Sequence, residues 1–218
     1  MSSFTDVLQR PDFIRNFIIH VELSVLAVLI ALIIAIPLAI AVNRSDFAST
    51  LAINIGNIGR AIPSLAILVL MLPFFGLGFD NALVALTLLA ISPILINAVV
   101  GLRQVSRQIL DAAKGMGLSG RQILTGIQIP IAAPIIFAGI RTSAVQVVAS
   151  ATLATFVGAG GLGDYIVEGF QRGDIYISLA GASAVAVLAI ITEVGFGGLE
   201  SAFTPKGLKI AQRRRKTK

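Results

Sequence analysis

The sequence predicts an all-α integral membrane protein that crosses the bilayer five times. Its composition is the first reason: 56% of the 218 residues are hydrophobic, only 13% are charged, and the mean hydropathy is +0.92. Soluble domains carry about 25% charged residues. The second reason is a set of five long apolar runs, and the third is a charged block between the third and fourth runs. We interpret residues 1–218 as a single transmembrane domain.

Each apolar run is long enough to cross a hydrocarbon core of roughly 30 Å. The expected spans are residues 23–42, 61–79, 82–102, 131–157 and 176–199. Acidic as well as basic residues precede the first span, which disfavours a cleaved signal peptide. The second span is expected to extend backward by an amphipathic turn or two through Leu51, Ile55 and Ile58. Asp80 and Asn81 separate the second and third spans, so these two should form a tight helical hairpin.

The charged block covers residues 103–130 and begins with a short amphipathic helix. Apolar residues at i, i+4, i+7 and i+11 are typical of one helix face, and here they are Val105, Ile109, Ala112 and Met116. Gly117 follows this stripe, where helices commonly end in a residue with positive φ. Ser119 and Gln122 have the spacing of a capping box that starts a second helix, and Pro130 marks the entry into the fourth span. The block is therefore predicted to be a helix-turn-helix outside the lipid.

Lys and Arg predict the orientation, because they concentrate in cytoplasmic segments. With the block 103–130 inside, thirteen basic residues lie inside and three outside, Arg141 being left uncounted because it falls within the fourth span. A cluster near the end of the chain, Arg213 to Lys216, belongs to the inner set. We therefore expect the N-terminus outside and the C-terminus in the cytoplasm. This distribution explains the net charge of +6 by membrane topology. It indicates that the basic residues meet membrane lipid and not nucleic acid.

A spaced motif lies within the block. Asp111-Ala112-Ala113 is followed after three residues by Gly117, and after nine more by Ile127-Gln128-Ile129-Pro130. The pattern resembles the cytoplasmic coupling motif of permease subunits in ABC importers: Glu-Ala-Ala, three residues, Gly, nine residues, Ile-x-Leu-Pro. Asp111 in place of Glu and Ile129 in place of Leu keep a carboxylate and a branched aliphatic side chain. An ordinary solvated loop with capped helices is the alternative that the local signals leave open.

Several further stretches resemble the permeases of osmoprotectant importers for glycine betaine, carnitine and choline. They are Ile62-Pro63-Ser64-Leu65-Ala66, Ser92-Pro93-Ile94-Leu95, Ala138-Gly139-Ile140-Arg141-Thr142, Phe156 through Tyr165, and Thr204-Pro205-Lys206-Gly207-Leu208. The resemblance covers essentially the whole chain. It implies the type I ABC importer permease fold, in a bacterial cytoplasmic membrane, with a role under osmotic stress. Permeases of methionine importers share the five-span plan and a similar Gly-rich segment, so a methionine-type importer remains an alternative.

The same resemblance implies partners. No G-x-x-x-x-G-K-[ST] motif occurs in the sequence, so ATP hydrolysis is expected in a separate ABC ATPase, present in two copies, and this chain is not expected to be an enzyme. A second copy of the chain or a paralogue would complete the pathway, and an extracytoplasmic substrate-binding protein would deliver the solute. The residues that couple to the ATPase would be Asp111, Ala112, Ala113, Gly117, Ile127 and Pro130.

Two ionisable residues lie in apolar spans. Arg141 and Glu193 should face protein or water, because a charge facing lipid is costly. Either they pair with each other, or each reaches the inner interface by itself. An ion-coupled carrier that uses them as a relay is a further alternative, although no inverted repeat is evident. A membrane scaffold that transports nothing is another.

A Gly-rich segment follows the fourth span. Gly158, Gly160, Gly161 and Gly163 spell G-x-G-x-x-G, but a dinucleotide site would also need a preceding strand. We expect a tight turn near the outer mouth of the pathway, which is where the importer family has a similar segment. It is interpreted as an outer gate or tight turn.

The sequence indicates neither a cofactor nor a metal site. It contains no Cys, and His20 is its one histidine, so the usual zinc ligands are missing. It also contains no Trp and only Tyr165 and Tyr176 as tyrosines. Quaternary ammonium groups are typically bound by aromatic faces. High-affinity solute capture is therefore expected on the separate binding protein.

Overall fold

A computed structural model describes residues 4–203, and every regular element in that range is helical. The α-helices are α1 Phe4–Leu8, α2 Pro11–Val42, α3 Asp46–Ala61, α4 Ser64–Phe75, α5 Phe79–Arg103, α6 Arg107–Gly115, α7 Gly120–Ile123, α8 Ile129–Ser150, α9 Gly163–Arg172 and α10 Ile175–Phe203. A π-helical turn, Leu124–Gln128, joins α7 to α8, and a 3₁₀ segment, Ala151–Val157, follows α8. The all-α prediction is confirmed. The stretch 204–208 and the basic cluster 213–216 lie outside the described residues.

Each of the five expected spans overlaps an apolar helix of the structure. Four helical stretches are long and apolar enough to cross a membrane, namely Pro11–Val42, Phe79–Arg103, Gly120–Val157 and Ile175–Ser201. The bent pair formed by α3 and α4 provides a fifth crossing if it is counted as one span.

The second expected span is not one straight helix. α3 ends at Ala61, α4 begins at Ser64, and the two axes meet at 96°. Ile62 between them is extended (φ −74°, ψ 126°), because a residue that precedes proline is disfavoured in the α conformation. α4 has only 12 residues, or about 18 Å, which is shorter than the hydrocarbon core. The amphipathic extension that the sequence indicated is thus a separate helix, α3, at a steep angle to α4.

The turn between α4 and α5 also lies earlier than expected. Gly76 ends α4, and Gly76 and Gly78 have φ values of +67° and +117°, which glycine adopts readily. Asp80 and Asn81 lie in the first turn of α5 instead, and the Asn81 Nδ2–H group donates to the Gly76 carbonyl at 2.7 Å. α4 packs back against α5, so the hairpin is present but its turn is formed by the glycines.

α5 lies at the centre of the helix bundle. Of its most apolar stretch 61% is buried, against 22–28% for the other three long stretches. α2 and α8 pack along α5, and α10 packs against α8. Small side chains line these contacts and let the helix backbones approach closely, including Ala31, Ala35, Ala85, Ala90 and Ala98. The outer helices keep apolar faces exposed, as expected of helices surrounded by lipid.

Candidate coupling site

α6 is the first helix of the charged block, and side-chain and backbone signals define both of its ends. The Ile109 N–H donates to Ser106 Oγ at 3.4 Å, which caps the N-terminus. At the other end the Leu118 N–H donates to the Ala113 carbonyl at 3.2 Å, across Gly117. Gly117 has φ +81°, so the positive φ predicted for it is confirmed. A Cβ at Gly117 would meet no atom within 4 Å, so the backbone conformation alone requires glycine there.

α7 begins at the predicted capping box. The Gln122 N–H donates to Ser119 Oγ at 3.4 Å, and Gln122 Oε1 accepts from the Ser119 N–H at 2.8 Å, so this prediction is confirmed. The chain then enters the π-helical turn, where the Ile129 N–H donates to the Leu124 carbonyl five residues back. Pro130, which has no N–H, lies in the first turn of α8. Such π-helical turns within α-helices are frequent at functional sites.

The four residues of the predicted apolar stripe differ in burial. Val105 is buried, but Ile109, Ala112 and Met116 are exposed, Met116 by 73%. The residue that α6 buries is Ala113. We call Ile109, Ala112 and Met116 the outer patch. With nine residues, α6 is too short to cross a membrane, and an exposed apolar patch on such a segment is typical of a protein interaction site.

The motif residues lie on both sides of the turn at Gly117. On α6, Asp111 is exposed and pairs with Lys114 at 3.4 Å, while Ala113 is buried. Ile127 is half-buried on the π-helical turn, and Pro130 is exposed at the start of α8. The motif is therefore a continuous structural unit: a capped helix, a glycine turn and the entry into a membrane helix.

Asp46 connects the start of α3 to this unit. Its carboxylate contacts the guanidinium of Arg103, the last residue of α5, and lies 3.9 Å from Arg107 Nη2, at the first residue of α6. The hydrogen bond from Arg103 holds the pKa of the Asp46 carboxyl below its usual value. Asp46 is consequently ionised at neutral pH and bridges two arginines across the linker between α5 and α6.

Arg141 lies between two carboxylates of α10. Its guanidinium contacts Glu193 and also Glu200, the latter at 3.3 Å. The three side chains are between 28% and 44% exposed, so they are partly shielded by the chain itself. Of the two possibilities for Arg141 and Glu193, the structure has the direct contact. Glu200 is a second partner that the sequence analysis did not identify.

The Gly-rich segment turns tightly after the 3₁₀ segment, as expected. Gly158, Gly160 and Gly161 have φ values of +73°, +80° and +105°. A Cβ at Gly163 would lie 2.0 Å from the Thr152 carbonyl oxygen, so only glycine fits there. The segment follows a helix and not a strand, which agrees with a turn and not with a dinucleotide site.

Buried polar side chains surround this turn. His20, fully buried on α2, lies against Gly161, and its Nε2–H donates to the Val148 carbonyl at 3.0 Å. Tyr165 on α9 is buried beside Phe13, with 5.2 Å between the ring centroids. Burial and a nearby carboxylate raise the pKa of the Tyr165 phenol, which stays protonated. The turn is thus anchored to α2 and α8 at the end of the molecule opposite the charged block.

Sequence reasoning missed three residues that take part in these contacts: Asp46, Glu200 and His20. Their partners lie 57, 59 and 128 residues away along the chain. A periodicity argument sees only neighbours within a helix, so it could not find such pairs. A chemical signal was available for two of them, because a lone histidine and a carboxylate in apolar helices both call for a partner. Asp46 gave no such signal, because an acidic residue is already favourable at a helix start.

Comparison with known proteins shows the family. The family model described as "Binding-protein-dependent transport system inner membrane component" matches residues 13–204, and this chain belongs to that family. The carnitine transport permease protein OpuCB of Listeria monocytogenes is 38% identical over 193 residues, which cover 88% of each chain. The glycine betaine/carnitine/choline transport system permease protein OpuCB of Bacillus subtilis (strain 168) is 40% identical over 190 residues, covering 87% of this chain and 88% of the relative.

Solved structures show the same fold. The methionine ABC transporter MetNI in an inward-facing conformation matches with a TM-score of 0.79 and 22% identity, over 94% of this chain and 100% of that one. A crystal structure of an amino acid ABC transporter with histidines matches with a TM-score of 0.70 and 20% identity, over 94% and 98%. The expected type I ABC importer permease fold is confirmed. The chain is a multi-pass inner-membrane permease of an ABC transporter.

Proposed function

We propose that this chain forms the translocation pathway of an ATP-driven importer of carnitine, glycine betaine, choline or a similar compatible solute. The observation that carries the proposal is the folded coupling unit, in which the spaced motif from Asp111 to Pro130 forms a capped helix and a glycine turn and leaves the outer patch exposed. The names of relatives at 38% and 40% identity support the choice of solute. The likeness to the methionine transporter, at 22% identity, supports the fold alone.

ATP hydrolysis is assigned to a separate ATPase, present in two copies, which binds the coupling unit. The outer patch offers apolar contact area, and Asp111 and Lys114 offer charges around it. Closure of the two ATPase subunits would move α6, and α8 would follow because the π-helical turn joins it to α7. The membrane helices would then change from an inward-open to an outward-open arrangement.

Two further partners complete the assembly. One is a second copy of this chain or a paralogue, because 218 residues with five spans are few for a complete pathway. The other is an extracytoplasmic binding protein, which would supply the aromatic cage that a sequence without Trp does not provide. It would dock near the Gly-rich turn, which acts as the outer gate.

The test is purification followed by transport. The tagged chain is isolated from its native membrane in mild detergent, and the masses of the intact complex and of each component are measured. A stoichiometric ATPase is expected, and the copy number of this chain separates a homodimer from a heterodimer. The complex, with its binding protein, is then placed in liposomes and supplied with radiolabelled carnitine, glycine betaine, choline or methionine.

ATP-dependent uptake of at least one quaternary ammonium solute supports the proposal. Uptake of methionine alone would support the methionine-type alternative instead. A chain that is isolated without an ATPase, under conditions that preserve other membrane complexes, would contradict the proposal and favour a carrier or a scaffold.

A further inference from the structure

Asp46 occupies an unusual place relative to the coupling unit. It is the first residue of α3, yet its carboxylate lies between guanidinium groups from both sides of the linker 104–106, which separates α5 from α6. One carboxylate oxygen contacts Arg103 on the α5 side. The other lies 3.9 Å from Arg107 Nη2 on the α6 side. The Asp46 side chain, which belongs to another helix, therefore connects the two ends of the linker.

We propose that Asp46 is a positioning residue that makes α3 move together with α6, so that motion of the coupling unit reaches the bent pair α3–α4 directly. The inference rests on the proposed function, because it assigns a role to Asp46 in the same coupling step. It adds a route that does not run through the polypeptide chain of α5 or α8.

Little of α6 is buried against the rest of the chain, so the contact with Asp46 can affect the position of α6. Of the nine residues of α6 only Ala113 is buried. The linker 104–106 lies outside regular helix, and it is held by the burial of Val105. Without a brace, α6 could rotate about the linker while α3 stayed in place.

α3 can transmit a displacement of its first residue along its length. A Cβ at Gly56 would lie 2.8 Å from Ile96 Cγ1, so α3 lies closely against α5 in its middle. With 16 residues it extends about 24 Å from Asp46 to the 96° bend before α4. α4 in turn packs against α5 and the 3₁₀ segment that leads to the Gly-rich turn. A displacement at Asp46 thus has a path to the opposite end of the molecule.

The expected effect is moderate because the contact is exposed. The side chains of Asp46 and Arg107 are 75% and 89% exposed, and exposed ion pairs contribute little to folding. Neutralising either residue should leave insertion and assembly intact. It should lower the number of solute molecules transported per ATP hydrolysed by about threefold, the scale of a single exposed contact.

The test uses the whole complex in liposomes and the solute, among carnitine, glycine betaine and choline, that the parent complex transports fastest. D46N, R107Q and the double variant are compared for uptake, ATP hydrolysis and thermal stability. The double variant should lose no more than D46N alone, because D46N already removes the contact with Arg107 that R107Q removes, together with the contact with Arg103. D80N is the matched control: Asp80 is also exposed in a helix first turn but lies at the start of α5, away from the coupling unit.

A rescue experiment separates positioning from a general loss of structure. The chain has no Cys, so D46C/R107C introduces one defined pair, which a short bifunctional methanethiosulfonate reagent can join. The ratio of uptake to ATP hydrolysis should be low before crosslinking, rise on crosslinking and fall again on reduction. A ratio in D46N equal to that of the parent, or uptake blocked by the crosslink, would overturn the inference while leaving the proposed function standing. A parent complex in which ATP drives no uptake would overturn both.

Discussion

Gly117 illustrates how one backbone conformation defines the coupling unit. Its φ of +81° reverses the chain between α6 and α7, and the space around it is open. The cost of any substitution there is therefore conformational and not steric. Gly120, three residues later, has equally open surroundings but an ordinary helical conformation.

Replacing Gly117 should uncouple transport from ATP hydrolysis. A valine at positive φ costs about 1–3 kcal/mol, so the turn would open or shift, and uptake per ATP should fall about tenfold in G117V. Insertion into the membrane should be unchanged, because the turn is predicted to lie outside the lipid. Uptake and hydrolysis are measured in liposomes, with G120A as the control, for which parental values are expected. Parental coupling in G117V would show that the turn is not part of the mechanism.

Residue-level prediction from sequence worked where the signal was local. The cap at Ser119, the helix end at Gly117 and the tight Gly-rich turn each depend on residues within about six positions, and each is present in the structure. The contact of Asp46 with Arg103 depends on residues 57 positions apart, and no local rule indicates it.

At the scale of elements, α6 and its C-terminal cap leave three apolar side chains exposed. The outer patch of Ile109, Ala112 and Met116 is exposed, while Ala113 faces inward. Periodicity identified these three residues as one face, but it also placed Val105 on that face, and Val105 lies before α6 and is buried. It could not say what covers that face, because the covering partner is not encoded in the helix itself.

Removing the outer patch should weaken binding of the ATPase. Burial of a large aliphatic side chain contributes about 1.5–3 kcal/mol, so I109S and M116S should each weaken association about tenfold. Co-purification of the ATPase with the tagged chain, followed over a dilution series, measures this. I175S is the control, since Ile175 is a similarly exposed apolar residue at the other end of the molecule. Unchanged association in the double variant I109S/M116S would mean that the ATPase binds elsewhere.

The bent pair α3–α4 shows a limit of predicting membrane helices from hydropathy. The apolar run 61–79 is long enough to span a membrane, but Pro63 disfavours the α conformation at Ile62 and the helix breaks there by 96°. Pro37, Pro73, Pro93 and Pro134 lie inside helices that continue through them. Whether a proline breaks or only interrupts a helix depends on how neighbouring helices hold the flanking turns.

For the whole molecule, the distribution of Lys and Arg makes a definite prediction of orientation. The N-terminus should lie outside the cell and the charged block inside. Because the chain has no Cys, single cysteines can be placed at Gln9 and Gln108, both of which are exposed. A membrane-impermeant maleimide should label Q9C in intact cells and Q108C only after permeabilisation. The opposite pattern of labelling would reverse the orientation and place the coupling unit away from the ATP supply.

The sequence by itself determined the class of this protein, the number of apolar segments and the local form of the coupling unit. These follow from composition, from runs of apolar residues and from caps and glycines, all of which act over short stretches of chain. Only the tertiary structure decided that α5 is central, that α3 and α4 form a steep bend, that Arg141 contacts two carboxylates and that Asp46 bridges two arginines. The physical reason is that packing and ion pairing join residues far apart in sequence, and many arrangements of the same helices satisfy the local rules equally well.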